Sequence, residues 1–118
     1  MKTKIVRVEM IDLSVKLYVG KKEEIVQKLR KIRPKFNKSF YGLNKKGERC
    51  SYDIFIKEDQ KQHSVTSILV HEITHVVDKA LTNRGASGEK EFRAFLSGYL
   101  FEEFEKFLNK IKIEKEGI

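Results

Sequence analysis

The segment from Ser64 to Asn83 constrains the fold more than any other. Drawn as a helix, it places Val65, Ile68, Leu69, Val70, Ile73, Val76, Val77, Ala80 and Leu81 on most of its sides. A helix that is apolar nearly all round belongs in an interior. Ser64 supplies an N-cap and Gly85 a C-terminal stop. A chain of 118 residues has room for one core. The remaining elements must therefore be arranged around this helix, as one domain over 1–118.

Those elements are legible as patterns. Residues 11–19 carry apolar side chains at Ile11, Leu13, Val15, Leu17 and Val19, the period of two of a half-buried strand. Val6, Val8 and Met10 alternate in the opposite phase, so a bulge or tight turn is expected near Met10–Ile11. Residues 21–33 predict a helix with Ile25, Leu29 and Ile32 on one face and Val26 beside them, stopped by Pro34. Two strands are expected near 38–43 and 50–57, joined by a turn at Asn44-Lys45-Lys46-Gly47. In the second, Tyr52, Ile54 and Ile56 share a face. A last helix is expected from about Ser87 to near Lys112. The fold class is α+β, with a small mixed or antiparallel sheet packed on the central helix and the helix after it.

Composition excludes several function classes. No apolar run approaches the roughly 18 residues of a membrane span. The first ten residues alternate charged and apolar side chains, so no secretory signal is read there. Cys50 is the single cysteine, which rules out an internal disulfide and a cysteine-based zinc site. A reducing, cytoplasmic setting is the expectation. The net charge of +8 admits an acidic partner without identifying one.

Chemistry enters through His71-Glu72-Ile73-Thr74-His75. Helical residues four apart are separated by about 40° around the axis and about 6 Å along it. Both imidazoles can then share one tetrahedral ion, while Glu72 points to its side as a general base would. A third ligand is needed, and His63, Asp78, Glu89 and Glu91 are the candidates. Glu91 is preferred, because Ala94, Phe95 and Gly98 follow it on one helical face and the small residues allow close approach to the histidine helix. Asp78, one turn beyond His75, suits a partner that orients a ligand. Burying Glu72 and two imidazoles without partners would be costly, and a metal ion removes that cost.

His71-Glu72-x-x-His75, then Gly85, then Glu91-x-x-Ala94-x-Leu96-x-Gly98-Tyr99-Leu100 resembles the small metallopeptidase-like proteins often encoded by bacteriophages. More broadly it resembles the gluzincins and the single-domain minigluzincins. The close likeness covers residues 68–102. It implies a zincin-like domain with one zinc ion held by His71, His75 and Glu91, and Glu72 as general base. It also implies that Tyr52-Asp53-Ile54-Phe55-Ile56 forms the rim of the cleft, an edge strand able to pair with an extended peptide. The chain departs from the larger gluzincins in having no second domain for the other cleft wall. It also offers no downstream His or Tyr assignable to oxyanion stabilisation.

The expected function is a zinc-dependent peptidase acting on a peptide or protein substrate. The alternative is a non-catalytic module stabilised by zinc, binding a partner through its basic surface. Nucleic acid is a third partner, suggested by Lys28, Arg30, Lys31, Arg33, Lys35, Lys38, Lys45, Lys46 and Arg49 with Phe36, Phe40 and Tyr41 interleaved. A solvated helix face and a hairpin tip, with the aromatics in the core, account for that stretch better. An edge strand would leave dimers open.

Overall fold

The structure is a computed structural model, and it describes residues 1–32, 42–47, 49–59, 61, 63–86 and 88–115. The chain opens with a hairpin of β1 (Lys2–Val8) and β2 (Leu13–Gly20). A single 3₁₀ turn, Glu9–Ile11, joins them, and Asp12 adopts the left-handed region at φ 50°. This is the tight turn that the phase change demands. Val6 pairs with Val15 and Val8 with Leu13, so both apolar sets reach the same face. Met10, left in the turn, is 75% exposed.

Helix α1 (Lys22–Ile32) follows, buried through Ile25 and Leu29. Strands β3 (Gly42–Lys46) and β4 (Ser51–Lys57) come next. Asn44, Lys45 and Lys46 are thus in a strand, whereas the sequence suggested a turn. The reversal lies further on, where Arg49 takes φ 53° and Gly47 N–H donates to the Ser51 carbonyl at 2.9 Å. Asn44 is held in the strand by the polar partners described below. The expected strand residues 38–41, Pro34 and the remainder of the basic and aromatic stretch at 33–41 lie outside the described residues.

The four strands form one mixed sheet in the order β1-β2-β4-β3. β2 and β4 are parallel, and the outer pairs are antiparallel. One face carries Leu13, Val15, Leu17, Val19, Tyr52, Ile54 and Ile56 into the main core. The other face places Tyr18 and Phe55 against Ile25 and Leu29 of α1, with the two rings stacked at 4.5 Å.

Helices α2 (Val65–Asn83) and α3 (Lys90–Lys115) cover the main core face. Ser64 caps α2, its hydroxyl accepting from Ser67 N–H at 3.0 Å. At the other end Gly85 sits at φ 69°. Ala86 N–H bonds the Leu81 carbonyl at 2.8 Å and Gly85 N–H that of Thr82 at 3.0 Å. These two bonds are a Schellman closure, which needs a residue without a Cβ at the left-handed position. The expected cap of α3, Ser87, lies outside the described residues.

α3 corrects one expectation. Ala94, Phe95 and Gly98 face solvent, with Phe95 59% exposed. The buried stripe is Leu96, Leu100, Phe104 and Ile111, with Phe92 packed beside it. Burying leucine and phenylalanine removes far more apolar area from water than burying alanine and glycine, so the larger stripe turns inward. No helix among the described residues is long and apolar enough to cross a membrane.

Candidate active site

α2 brings the two histidines together as its geometry requires. His71 Nε2 and His75 Nε2 lie 3.2 Å apart, on rings inclined at 79°. Two imidazoles bound to one tetrahedral ion at about 2.0–2.1 Å would hold their nitrogens about 3.3–3.4 Å apart. The observed separation therefore suits a shared ion. A direct N–H···N hydrogen bond has a similar length. Both rings are exposed, on the side of α2 away from the core.

Glu72 differs from its neighbours. It is 4% exposed and is the one charged residue buried in the described structure. Asn44 Nδ2 donates to its Oε1 at 2.8 Å. Lys79 Nζ in turn donates to Asn44 Oδ1 at 2.5 Å. The ammonium fixes which end of the amide meets the carboxylate, and the amide supplies the donor that a buried carboxylate needs. Asn44 comes from β3 and Lys79 from the turn of α2 beyond His75, so the chain is clamped from two elements. Neither residue was found from the sequence. The available signal was an asparagine in a position that β-alternation turns toward α2.

β3 reaches α2 closely because residue 42 is glycine. A Cβ there would stand 2.3 Å from Cγ2 of Ile68 and 3.4 Å from Cγ of Glu72. A cleft of about 390 Å³ opens beside this contact, lined by Gly42, His63, Ser67, Ile68, His71 and Glu72. His63, placed just before the N-cap of α2, thus shares the cleft with the first histidine and the glutamate.

The rim of the cleft is not the strand that was expected. Tyr52, Asp53, Ile54, Phe55 and Ile56 belong to β4, which is bonded on both sides, to β2 and to β3. An interior strand cannot accept a further chain. The rim is β3, which among the described residues pairs only with β4. Tyr52, Ile54, Phe55 and Ile56 are core residues. Asp53 is half-buried, and burial pushes its carboxyl above the ordinary range, opposed by Lys16, Lys45 and Lys28.

Asp78 accepts from Arg93 Nη1 at 3.1 Å and so ties α2 to α3. Its contact is with the next helix, one turn from His75. Glu91 lies on the first turn of α3 with its side chain exposed, on the same side as Ala94, Phe95 and Gly98. The small stripe therefore does not face the histidine helix and does not carry Glu91 toward it. Glu89 is exposed just before α3. Among the described residues no third His, Cys, Asp or Glu joins the histidine pair in a group able to hold a metal ion.

No protein family, no curated protein and no solved structure matches this chain.

Proposed function

We propose that this protein is a zinc-dependent peptidase in which His71 and His75 hold the ion and Glu72 is the general base. The observation that carries the reading is the approach of the two imidazole nitrogens to 3.2 Å beside a buried, hydrogen-bonded carboxylate. Two imidazoles and a carboxylate are a donor set that suits zinc. Glu91 is the third donor in this reading; it stands outside the histidine group in the structure, so the role requires its exposed side chain to swing toward the ion. It forms no ion pair among the described residues, so its carboxylate is not committed elsewhere.

When bound, zinc would polarise a peptide carbonyl and acidify a water at the site. The chain's own part is proton handling and positioning. Asn44 occupies Oε1 of Glu72, and Oε2 has no partner among the described residues. Oε2 is thus the atom that takes a proton from the attacking water and returns it to the leaving amine. The edge of β3 offers backbone groups for an extended substrate, which would lie beside Glu72.

The test is metal content per chain, together with turnover of a peptide library. About one zinc per chain, lost or weakened in His71→Ala and in Glu91→Ala, is expected. Glu72→Gln should retain the metal and lose cleavage. Folded protein that takes up no zinc would leave the histidine contact as an N–H···N hydrogen bond and end this reading. Zinc bound by the two histidines but unaffected by Glu91→Ala would remove Glu91 alone.

A further inference from the structure

β3 and α2 run side by side, and their shared groove changes character along its length. At one end Gly42 lies against Ile68 and Glu72. In the middle Asn44 bonds Glu72 and Lys79. At the far end Lys46, the last residue of β3, lines a second cleft of about 470 Å³. Asn83 and Arg84 line it from the end of α2, and Arg49 and Tyr52 from the hairpin of β3 and β4.

This second cleft is cationic. Lys46, Arg49 and Arg84 line it, and no Asp or Glu among the described residues does. Lys46 Nζ donates to the Arg49 carbonyl at 2.8 Å, and Arg84 donates to the Ile11 carbonyl. Among the described residues none of the three cations is in an ion pair. Arg84 closes the C-terminal end of a helix, where a cation is favoured in its own right. Lys46 and Arg49 come from the exposed hairpin of β3 and β4, so the three cations reach the cleft from two elements. Three like charges around one concavity repel one another and focus a positive field into it. The Tyr52 hydroxyl, which accepts from Asn83 Nδ2 at 3.0 Å, adds neutral hydrogen-bonding groups.

We propose that this cleft is a subsite for an acidic side chain of an extended peptide lying along β3. The inference rests on the peptidase reading for the identity of its occupant. From Glu72 to Arg84 along α2 is about 18 Å, at a rise of about 1.5 Å per residue. An extended chain covers that distance in about five residues, at about 3.4 Å each. The preferred substrate therefore carries Asp or Glu about five residues from the bond at Glu72. A peptide fits better than a polynucleotide, because the edge of β3, unpaired among the described residues, presents strand-pairing backbone groups between the two clefts.

The experiment uses the full chain carrying Glu72→Gln, so that bound peptides are not cleaved. Labelled ten-residue peptides, with one Glu moved along a neutral host, are compared by fluorescence anisotropy with the matching Gln peptides. The best Glu peptide should bind about tenfold tighter than its Gln counterpart, the effect of one carboxylate meeting two or three cations. Adding Lys46→Gln and Arg49→Asn, both at exposed positions, should remove most of that difference, leaving only the share of Arg84, and high salt should abolish it. Equal binding of Glu and Gln peptides, or an advantage that the two substitutions leave undiminished, overturns the subsite. So does an oligothymidylate that binds more tightly than the best peptide through the same two cations. Turnover by the unsubstituted chain separates the two readings. Cleavage without acidic preference leaves the peptidase and removes the subsite. A Glu preference in binding that the substitutions diminish, with no cleavage of any peptide, keeps the subsite and removes the peptidase.

Discussion

Asn44 Nδ2 donates to Glu72 Oε1 at 2.8 Å, so an outer strand of the sheet, β3, holds the one buried charge of the histidine helix. Glu72 also lines the cleft beside Gly42 and Ile68. The bond therefore couples the position of β3 to the orientation of the carboxylate. Asn44→Ala leaves that oxygen without its donor and should destabilise the fold by about 1–3 kcal/mol. Asn44→Asp sets a second carboxylate against the first and should cost more, partly offset by Lys79. Urea unfolding of both variants checks the order. If Glu72→Gln already removes most of the cost of Asn44→Asp, the repulsion is between these two side chains.

Gly42 makes the same strand–helix contact possible from the backbone side. Its missing Cβ leaves the space that Ile68 Cγ2 fills, at 2.3 Å from where that carbon would stand. Gly42→Ala should therefore destabilise by about 1–3 kcal/mol through overpacking. Ile68→Ala alone should also destabilise, because Ile68 is buried. The two changes together should cost less than their sum, since the truncated side chain vacates the clash. Additive costs in thermal or urea unfolding would place the overpacking elsewhere.

The sequence made the local features of this site readable and left its non-local ones hidden. The caps of α2 and the shared face of His71 and His75 follow from contacts within one or two helical turns. The hairpin turn near Met10 follows from a change of phase. The interior position of β4 does not, because parallel pairing with β2 joins strands separated by a whole helix. Tyr52, Ile54 and Ile56 read alike in an edge strand and an interior one. Asn44 reads as turn chemistry beside Lys45, Lys46 and Gly47, yet its partner stands 28 residues away. In α3, Phe92, Phe95, Leu96, Tyr99 and Leu100 supply apolar residues on two sides. Periodicity alone could not choose between them, and the small residues pointed to the wrong one.

Asp53 predicts a pH dependence of stability. It pairs in register with Lys16 on one side and Lys45 on the other, and burial still raises its carboxyl above the ordinary range. A carboxyl with a raised folded value takes up its proton more readily folded than unfolded. Ionised Asp53 therefore detracts from stability above the folded value. The cost is relieved as pH falls through that value and is gone below the unfolded one. Asp53→Asn should stabilise the protein at neutral pH and confer little at acid pH. Urea unfolding of both proteins across that range checks it. A gain that grew toward acid pH would reverse the sign.

Zinc should stabilise the fold through His71 and His75 if they share an ion. Binding to the folded chain alone contributes about 2.7 kcal/mol when free zinc is a hundredfold above its dissociation constant. Addition of zinc should raise the melting temperature, and chelation should return it to its starting value. His71→Ala and His75→Ala should each abolish most of the increment. The exposed rings make little demand on the core, so without zinc both variants should melt close to the parent. Variants that melted far below the parent without zinc would instead make the 3.2 Å contact a structural hydrogen bond.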